Sequence, residues 1–302
     1  RLGADSAILR AVGESLDGRE QLLEAEIPRI GRNRIQVNRQ RLQRMGDLLG
    51  VLHVTVFSPD DLELVKGGPT LRRGWVDAAL GSLHTKYAAL RSDVERVLKQ
   101  RNALLRSAGG RLDADGEFTL DVWDAKLAET GSALVKARRD LLDEMAGELT
   151  SAYDAVAQKA AEVTAIYQQS WDGNLGEALR EARQLDIRRG VTTVGPHRDE
   201  ILLSIGGTPA RTHASQGEQR SLALALRLAA DAVVRVAGIA EPILLLDDVF
   251  SELDPGRAGA LLDALPDSQR LLTTAAALPP AASPDQILSV VDGRLFDGGV
   301  VL

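Results

Sequence analysis

Ile243-Leu244-Leu245-Leu246-Asp247-Asp248 is the stretch that decides how this chain folds. Four consecutive apolar residues make a strand that can be buried on both faces of a parallel sheet. The two acids then fall at its C-terminal end, the edge at which open α/β sheets bind ligands. An acid at that place can help hold Mg²⁺, and a second one beside it can orient or deprotonate an attacking water. A core strand running into a solvated loop has the same appearance, so the stretch needs a second signal.

That signal lies upstream. Ser215-Gln216-Gly217-Glu218-Gln219-Arg220 leads into the apolar helical run Ser221-Leu222-Ala223-Leu224-Ala225-Leu226-Arg227-Leu228. A Ser and a Gly at a helix start offer a hydroxyl and backbone N–H groups, and with the helix dipole these make a phosphate site. The plain alternative is a capped helix, with Ser215 as the cap and Glu218 completing a capping box.

Further from these motifs the chain changes period twice. Residues 20–57 read as β, with Asn33 and Asn38 at turns, and Ser58-Pro59-Asp60-Asp61 stops the last strand. After Gly67-Gly68-Pro69, the residues Val76, Leu80, Leu83, Tyr87, Leu90, Val94 and Val97 recur at steps of four and three. That spacing predicts one long helix with a narrow apolar stripe. Ser107-Ala108-Gly109-Gly110 breaks it, and a second long helix follows with Trp123, Leu127, Leu134, Leu141, Met145, Leu149 and Val156 on one face. The two are expected to pack antiparallel, and a third helix over residues 175–187 returns the chain. Beyond Gly190, strands are expected at 201–205, 243–246 and 270–274, a helix at 218–236, and short edge strands at 287–291 and 299–301. The order is α/β, a helical insertion, then α/β.

Composition narrows the function. The chain has 302 residues, 44% hydrophobic and 26% charged, which suits a globular protein with a sizeable core. There is no cysteine, so disulfides, thiolate metal sites and cysteine nucleophiles are excluded. No apolar run approaches the roughly 20 residues of a membrane helix, so no membrane partner and a cytoplasmic setting are expected. A net charge of −7 argues mildly against nucleic acid. The charge is uneven, however. Residues 27–44 hold Arg29, Arg32, Arg34, Arg39, Arg41 and Arg44 and no acid, a stretch that could track DNA phosphates or form a solvated β-hairpin. Arg72 and Arg73 have Asp60, Asp61 and Asp77 as candidate partners, and Trp75, Trp123 and Trp171 are expected in the core.

Ser-x-Gly-x-Gln, a helix and then four apolar residues with two acids is the order of motifs in an ABC-type ATPase. The chain resembles the RecF family over essentially its whole length. The resemblance is carried by Phe57-Ser58-Pro59-Asp60-Asp61-Leu62 with Gly68-Pro69 and Arg72-Arg73, by Gly195-Pro196-His197-Arg198-Asp199, by the Ser215 motif, and by Leu244-Leu245-Leu246-Asp247-Asp248-Val249-Phe250-Ser251-Glu252-Leu253-Asp254. It implies an ABC-type P-loop NTPase head with an inserted helical arm. Residues 1–68 and 189–302 would form the head, and residues 69–188 the arm. It implies ATP and Mg²⁺ as cofactors, with Asp247 holding Mg²⁺ and Asp248 as the general base. Ser215, Gly217 and Gln219 would form the signature motif that meets the ATP of a partner subunit, and Asp254 the D-loop at a homodimer interface. The function implied is an ATP-dependent clamp on double-stranded DNA and single-strand/double-strand junctions, with weak DNA-dependent ATPase activity. Its setting would be recombinational repair, replication-gap repair and the SOS response, with RecR and RecO as partners in loading recombinase onto single strands. A Rad50- or SMC-like tether and a transporter motor are the alternatives within the ABC class.

Two departures stand out. The chain contains no Gly-Lys pair, hence no G-x-x-x-x-G-K-[ST] loop, and it begins at Arg1. That loop is expected upstream, and these 302 residues alone are expected to be inactive as an ATPase. Thr273-Thr274 stands where many ABC ATPases carry a phosphate-sensing His. No Gln marks a Q-loop beside Ser58-Pro59, leaving Asp60 or Asp61 as stand-ins.

Overall fold

A computed structural model describes residues 3–14, 18–42, 48, 53–238 and 242–298. It opens with a four-stranded antiparallel sheet of β1 (Ser6–Glu14), β2 (Glu20–Pro28), β3 (Arg34–Val37) and β4 (Gln40–Arg41), in sequential order. Asn38 and Arg39 join the last two strands with φ of 50° and 65°. Two successive left-handed residues match the twist of a tight hairpin, and Asn38 Oδ1 anchors the turn by accepting from Leu22 N at 2.9 Å.

β5 (Val54–Phe57) runs into a 3₁₀ turn (Pro59–Leu62), then α1 (Glu63–Lys66), α2 (Pro69–Leu83), α3 (Thr85–Ser107) and α4 (Ala114–Ala157). β6 (Val163–Gln168), α5 (Leu175–Arg189), β7 (Glu200–Ile205), β8 (Thr208–Pro209), α6 (Ala210–His213) and α7 (Gln216–Val236) follow. The chain continues through β9 (Ile243–Asp247), a 3₁₀ turn (Val249–Glu252), α8 (Pro255–Ala264), β10 (Arg270–Thr273), β11 (Leu288–Val291) and β12 (Arg294–Asp297).

The apolar run 243–246 forms the middle strand of a three-stranded parallel sheet, β10-β9-β5. Leu244 and Leu246 are buried on it. α7 covers this sheet with Leu224 and Leu228, which share a core with Phe57, Leu244, Leu246, Phe250 and Leu261. Its opposite face, with Leu222, Leu226 and Val233, packs on Leu141, Met145, Leu149 and Tyr153 of α4 and on Trp75 and Leu80 of α2. α4 is therefore the spine. Its C-terminal half is built into the core with α7, and its N-terminal half packs through Leu127 and Leu134 on Val94 and Val97 of α3 and Leu179 of α5. One core cluster thus draws residues from 1–68, 69–188 and 189–302 alike.

The structure corrects several expectations. The stripe from Val76 to Val97 lies on two helices, not one. His84 stands between them with φ −163°, closing α2 through its N–H to Leu80 O and capping α3 through Nδ1, which accepts from Lys86 N at 3.0 Å. The spacing survives the break because both helices bury that face against α4. β6 was not expected, although Val163 and Tyr167 point inward from it. It completes an antiparallel sheet with β7 and β8. The partner of β11 is β12, and residues 299–301 lie outside the described residues. Trp75 is buried, and Trp123 and Trp171 are half-buried.

Arg72 and Arg73 choose none of the three expected acids. Arg72 forms a two-pronged ion pair with Glu200, at 2.9 and 2.8 Å, and Arg73 donates to Asp199 O at 2.6 Å. Asp61 instead receives Arg227 of α7, at 2.9 and 2.6 Å, and Asp77 receives Arg138 of α4, at 2.7 and 2.8 Å. Each of these pairs stitches distant segments together across a partly desolvated boundary, where removing one partner would leave a costly buried charge.

Candidate functional site

The parallel sheet delivers three strand ends to one edge. Leu246 lies opposite Phe57 and Leu272, so Ser58, Asp247 and Thr273 leave the sheet together. Asp247 is exposed. Its Oδ1 accepts from Thr273 Oγ1 at 2.6 Å. Asp248 turns the chain out of the strand in the left-handed region, at φ 49° and ψ 26°. That conformation costs a non-glycine residue about 1 kcal/mol, least for Asp and Asn. It is held by Asp248 N, which donates to Thr273 O at 3.0 Å, and by Ser251 Oγ, which donates to Asp248 O at 2.8 Å. Val249 and Phe250 anchor the following turn in the core.

Asp248 Oδ1 is buried and has no hydrogen-bond partner among the described residues. An ionised carboxylate oxygen without a donor is costly, so this atom suits a water or ligand donor. Two adjacent carboxylates do not make a metal centre by themselves, and no group of three or more metal-binding side chains occurs among the described residues. Mg²⁺ keeps several waters and is commonly held by one or two carboxylates together with substrate phosphates. Asp247 and Asp248 fit that arrangement. The sequence supplies no Gly-rich loop with Lys to cradle the phosphates.

A second cluster forms at the start of α7. Ser215 is its N-cap, and the capping box is complete. Ser215 Oγ lies 3.3 Å from Glu218 N, and Glu218 Oε2 accepts from Ser215 N and Oγ at 2.9 Å each. Those bonds from the Ser215 backbone and hydroxyl hold the half-buried Glu218 carboxyl below its usual range. The hydroxyl therefore caps the helix, and the positive end of the helix dipole lies at this start.

Gly217 lies under Arg257. A Cβ there would lie 2.1 Å from Nη1 of Arg257, so a larger residue would have to displace that guanidinium. Arg257 sits in the first turn of α8, capped by Asp254, whose Oδ1 accepts from Arg257 N at 3.0 Å. The structure thereby brings the Ser215 motif and Asp254 together through a residue that sequence reasoning missed. Gln219 is different. Its amide is buried and donates to Ala210 O at 3.0 Å and Arg211 O at 3.1 Å, so it braces α6 rather than facing a ligand. Asp61, a stand-in for the Q-loop, is likewise engaged by Arg227 and Ser58 N.

The arginine stretch is a β-hairpin with an exposed rim. Arg29, Arg32, Arg34, Arg39 and Arg41 are exposed, and Arg44 lies outside the described residues. Arg34 and Arg41 share a face with Glu24 and Glu26 by strand register. Arg34 pairs with Glu26 at 3.0 Å, and Arg10 with Glu24 at 2.7 Å. The lack of acids between residues 27 and 44 therefore overstates the positive charge of this face.

Gly195-Pro196-His197-Arg198-Asp199 forms a brace in which Gly195, Pro196 and Asp199 are buried, His197 is half-buried and Arg198 is exposed. Asp199 is fully buried and accepts from the Tyr167 hydroxyl, from Ser170 N and from Ser170 Oγ, the last two at 2.9 Å. Pro196 O accepts from Arg138 Nη1 at 2.8 Å. Burial pushes the Asp199 carboxyl and the Tyr167 phenol up, and it holds His197 down at about 4, against Thr192 O at 3.1 Å.

Comparison with known proteins places this geometry. The chain is 40% identical, over 91% of its length, to the DNA replication and repair protein RecF of Renibacterium salmoninarum, 79% of which it spans. It is 42% identical to that of Streptomyces avermitilis, with 91% and 77% covered, and 39% identical to that of Cutibacterium acnes, with 100% and 82% covered. Among solved structures, the recombination mediator protein RecF with ATP, from the RecFOR pathway, superposes with a TM-score of 0.88 at 27% identity, covering 99% of this chain and 82% of that one. An Smc head bound to the C-winged helix domain of ScpA matches with a TM-score of 0.55 at 14% identity, a likeness of fold alone. No family model matches the chain.

Proposed function

The chain belongs to the RecF family of DNA replication and repair proteins, and from that premise we propose that it acts as an ATP-gated clamp on DNA in recombinational and replication-gap repair. The observation that carries this reading is the corner at the end of β9, where Asp247 is exposed and Asp248 holds a buried oxygen with no donor. Bound Mg²⁺ would offset the phosphate charge of ATP there. Asp247 would support that ion directly or through water, and Asp248 would orient or deprotonate the attacking water. Ser215 and the first turn of α7, with Gly217 bare of a side chain, would face the ATP of a second copy. Asp254 would line the same interface, and Gln219 would support the motif from within.

Two heads would then sandwich two nucleotides and close on double-stranded DNA or a single-strand/double-strand junction. Slow, DNA-stimulated hydrolysis would release them. RecR and RecO would be the partners in loading recombinase, in the cytoplasm. Among the described residues no helix is long and apolar enough to cross a membrane. Residues 1–302 alone are expected not to hydrolyse ATP, since they hold no phosphate loop. A long-armed tether fits less well, because α4 has 44 residues, about 66 Å, and half of it is built into the core of the head.

The test uses the protein expressed from its whole open reading frame. Light scattering should show ATP-dependent dimers, and Ser215→Arg should bind ATP yet stay monomeric, because a bulky cation replaces a small hydroxyl. A Ser215→Arg protein that dimerises like the wild type leaves the motif a plain capped helix and overturns the reading. For DNA, changing Arg29, Arg32, Arg39 and Arg41 to Ala should lower the log–log salt slope by about 0.9 per lost contact. Arg34 should contribute less, since Glu26 already engages it. An unchanged slope assigns the hairpin no role on DNA.

A further inference from the structure

We propose that Thr273 is the positioning residue of the acid pair, its hydroxyl fixing the Asp247 carboxylate in the pose that receives a divalent cation. This rests on the nucleotide reading above. Thr273 lies opposite Asp247 in the parallel register of β10 and β9, so the two side chains share one face at the sheet edge. Thr273 Oγ1 donates to Asp247 Oδ1 at 2.6 Å and lies 3.2 Å from Asp248 N, from which it accepts. A hydroxyl has one proton and can accept as well. Donating to Asp247 while accepting from Asp248 leaves that proton one direction, and the β-branched side chain is stiff about χ1. One hydroxyl therefore joins the Asp247 carboxylate to the Asp248 backbone.

Thr273 and Asp247 are both exposed. Water could satisfy either group, so the bond is not needed to compensate burial, and what it adds is orientation. It turns Asp247 Oδ1 toward β10 and leaves Oδ2 to a ligand. Carboxylates that ligate metals are commonly oriented by such outer partners. Asp248 is in the left-handed region, and its buried Oδ1 lies on the same backbone turn that Thr273 grips through two acceptors, O and Oγ1.

The experiment measures binding of a fluorescent ATP analogue during an Mg²⁺ titration, with the protein expressed from its whole open reading frame. Thr273→Val and Thr273→Ala should both raise the Mg²⁺ needed for half-saturation by about tenfold or more. Analogue affinity at saturating Mg²⁺ should stay within about twofold, and Thr273→Ser should restore the wild-type Mg²⁺ requirement. Thermal midpoints without nucleotide identify any variant that fails to fold, and the remaining variant then decides. If Thr273→Val shifts and Thr273→Ala does not, the effect is steric and the inference is overturned. If neither shifts while Asp247→Asn does, Thr273 has no positioning role and the nucleotide reading stands. If Asp247→Asn also leaves the Mg²⁺ requirement unchanged, the nucleotide reading itself fails.

Discussion

Replacing Arg101 by Met should cost the folded protein about 3–5 kcal/mol. Arg101 is fully buried on α3, and its guanidinium serves three segments at once. Nε donates to Asp124 Oδ1 of α4 at 2.7 Å, and Nη1 donates to Asp186 Oδ2 of α5 at 2.7 Å and to Thr192 Oγ1 at 2.9 Å. Methionine keeps much of the stem and removes the charge. Asp124 would still have Arg183, whose Nη2 donates to its other oxygen at 2.8 Å. Asp186, fully buried, would keep the amide and hydroxyl of Thr193 and lose its cation. The loss is therefore that of one broken buried pair rather than two, which sets the figure above. Urea unfolding followed by circular dichroism at pH 7 measures it. Adding Asp186→Asn to Arg101→Met should recover about half of the loss, because the stranded charge is then gone. A single variant within about 1 kcal/mol of wild type, or a double variant no better than the single, would refute the view that this network holds α3, α4 and α5 together.

Three further outcomes are expected. The His197 imidazole, held down at about 4 by burial, is neutral in the folded protein at pH 7, whereas the unfolded chain protonates it near 6.5. Stability from this group is thus complete above pH 6.5 and is lost as pH falls toward 4, by up to about 3 kcal/mol; His197→Gln should flatten that part of the urea-midpoint profile, and equal profiles would count against it. Ser215→Ala removes the N-cap of α7 and should cost about 1 kcal/mol in the same unfolding assay, with no loss meaning that the box does not hold the helix. In the protein from the whole reading frame, Asp248→Asn should slow phosphate release by about 10²–10⁴-fold while ATP still binds; a wild-type rate moves the base elsewhere, with Glu252 the next candidate.

Much of this architecture was legible along the chain, and for a physical reason. Burial on both faces of a parallel strand demands an unbroken apolar run, so Ile243-Leu244-Leu245-Leu246 announced a buried strand with Asp247 and Asp248 at its end, and the fold made it the middle one. Helix capping is settled within a turn, so Ser215 and Glu218 announced the start of α7. The helical stripes were readable because periodicity reports which face is buried. Periodicity does not report continuity, and only the fold showed the break at His84, where two helices share one surface of α4.

Partner choice belongs to the tertiary structure. Arg72 lies near Asp61 and Asp77 in sequence but pairs with Glu200, and Arg34, in a stretch without acids, pairs with Glu26 across a strand. Arg257 and Gly217 are 40 positions apart, and Thr273 and Asp247 are 26, yet each pair is in contact. A charged or hydroxyl side chain carries no periodic mark of its partner, because electrostatic and hydrogen-bond energies depend on distance in space and on the water excluded around them. Sequence therefore determined where the acids and the glycine stand along the chain, and the packing of sheet against helix determined what each of them touches.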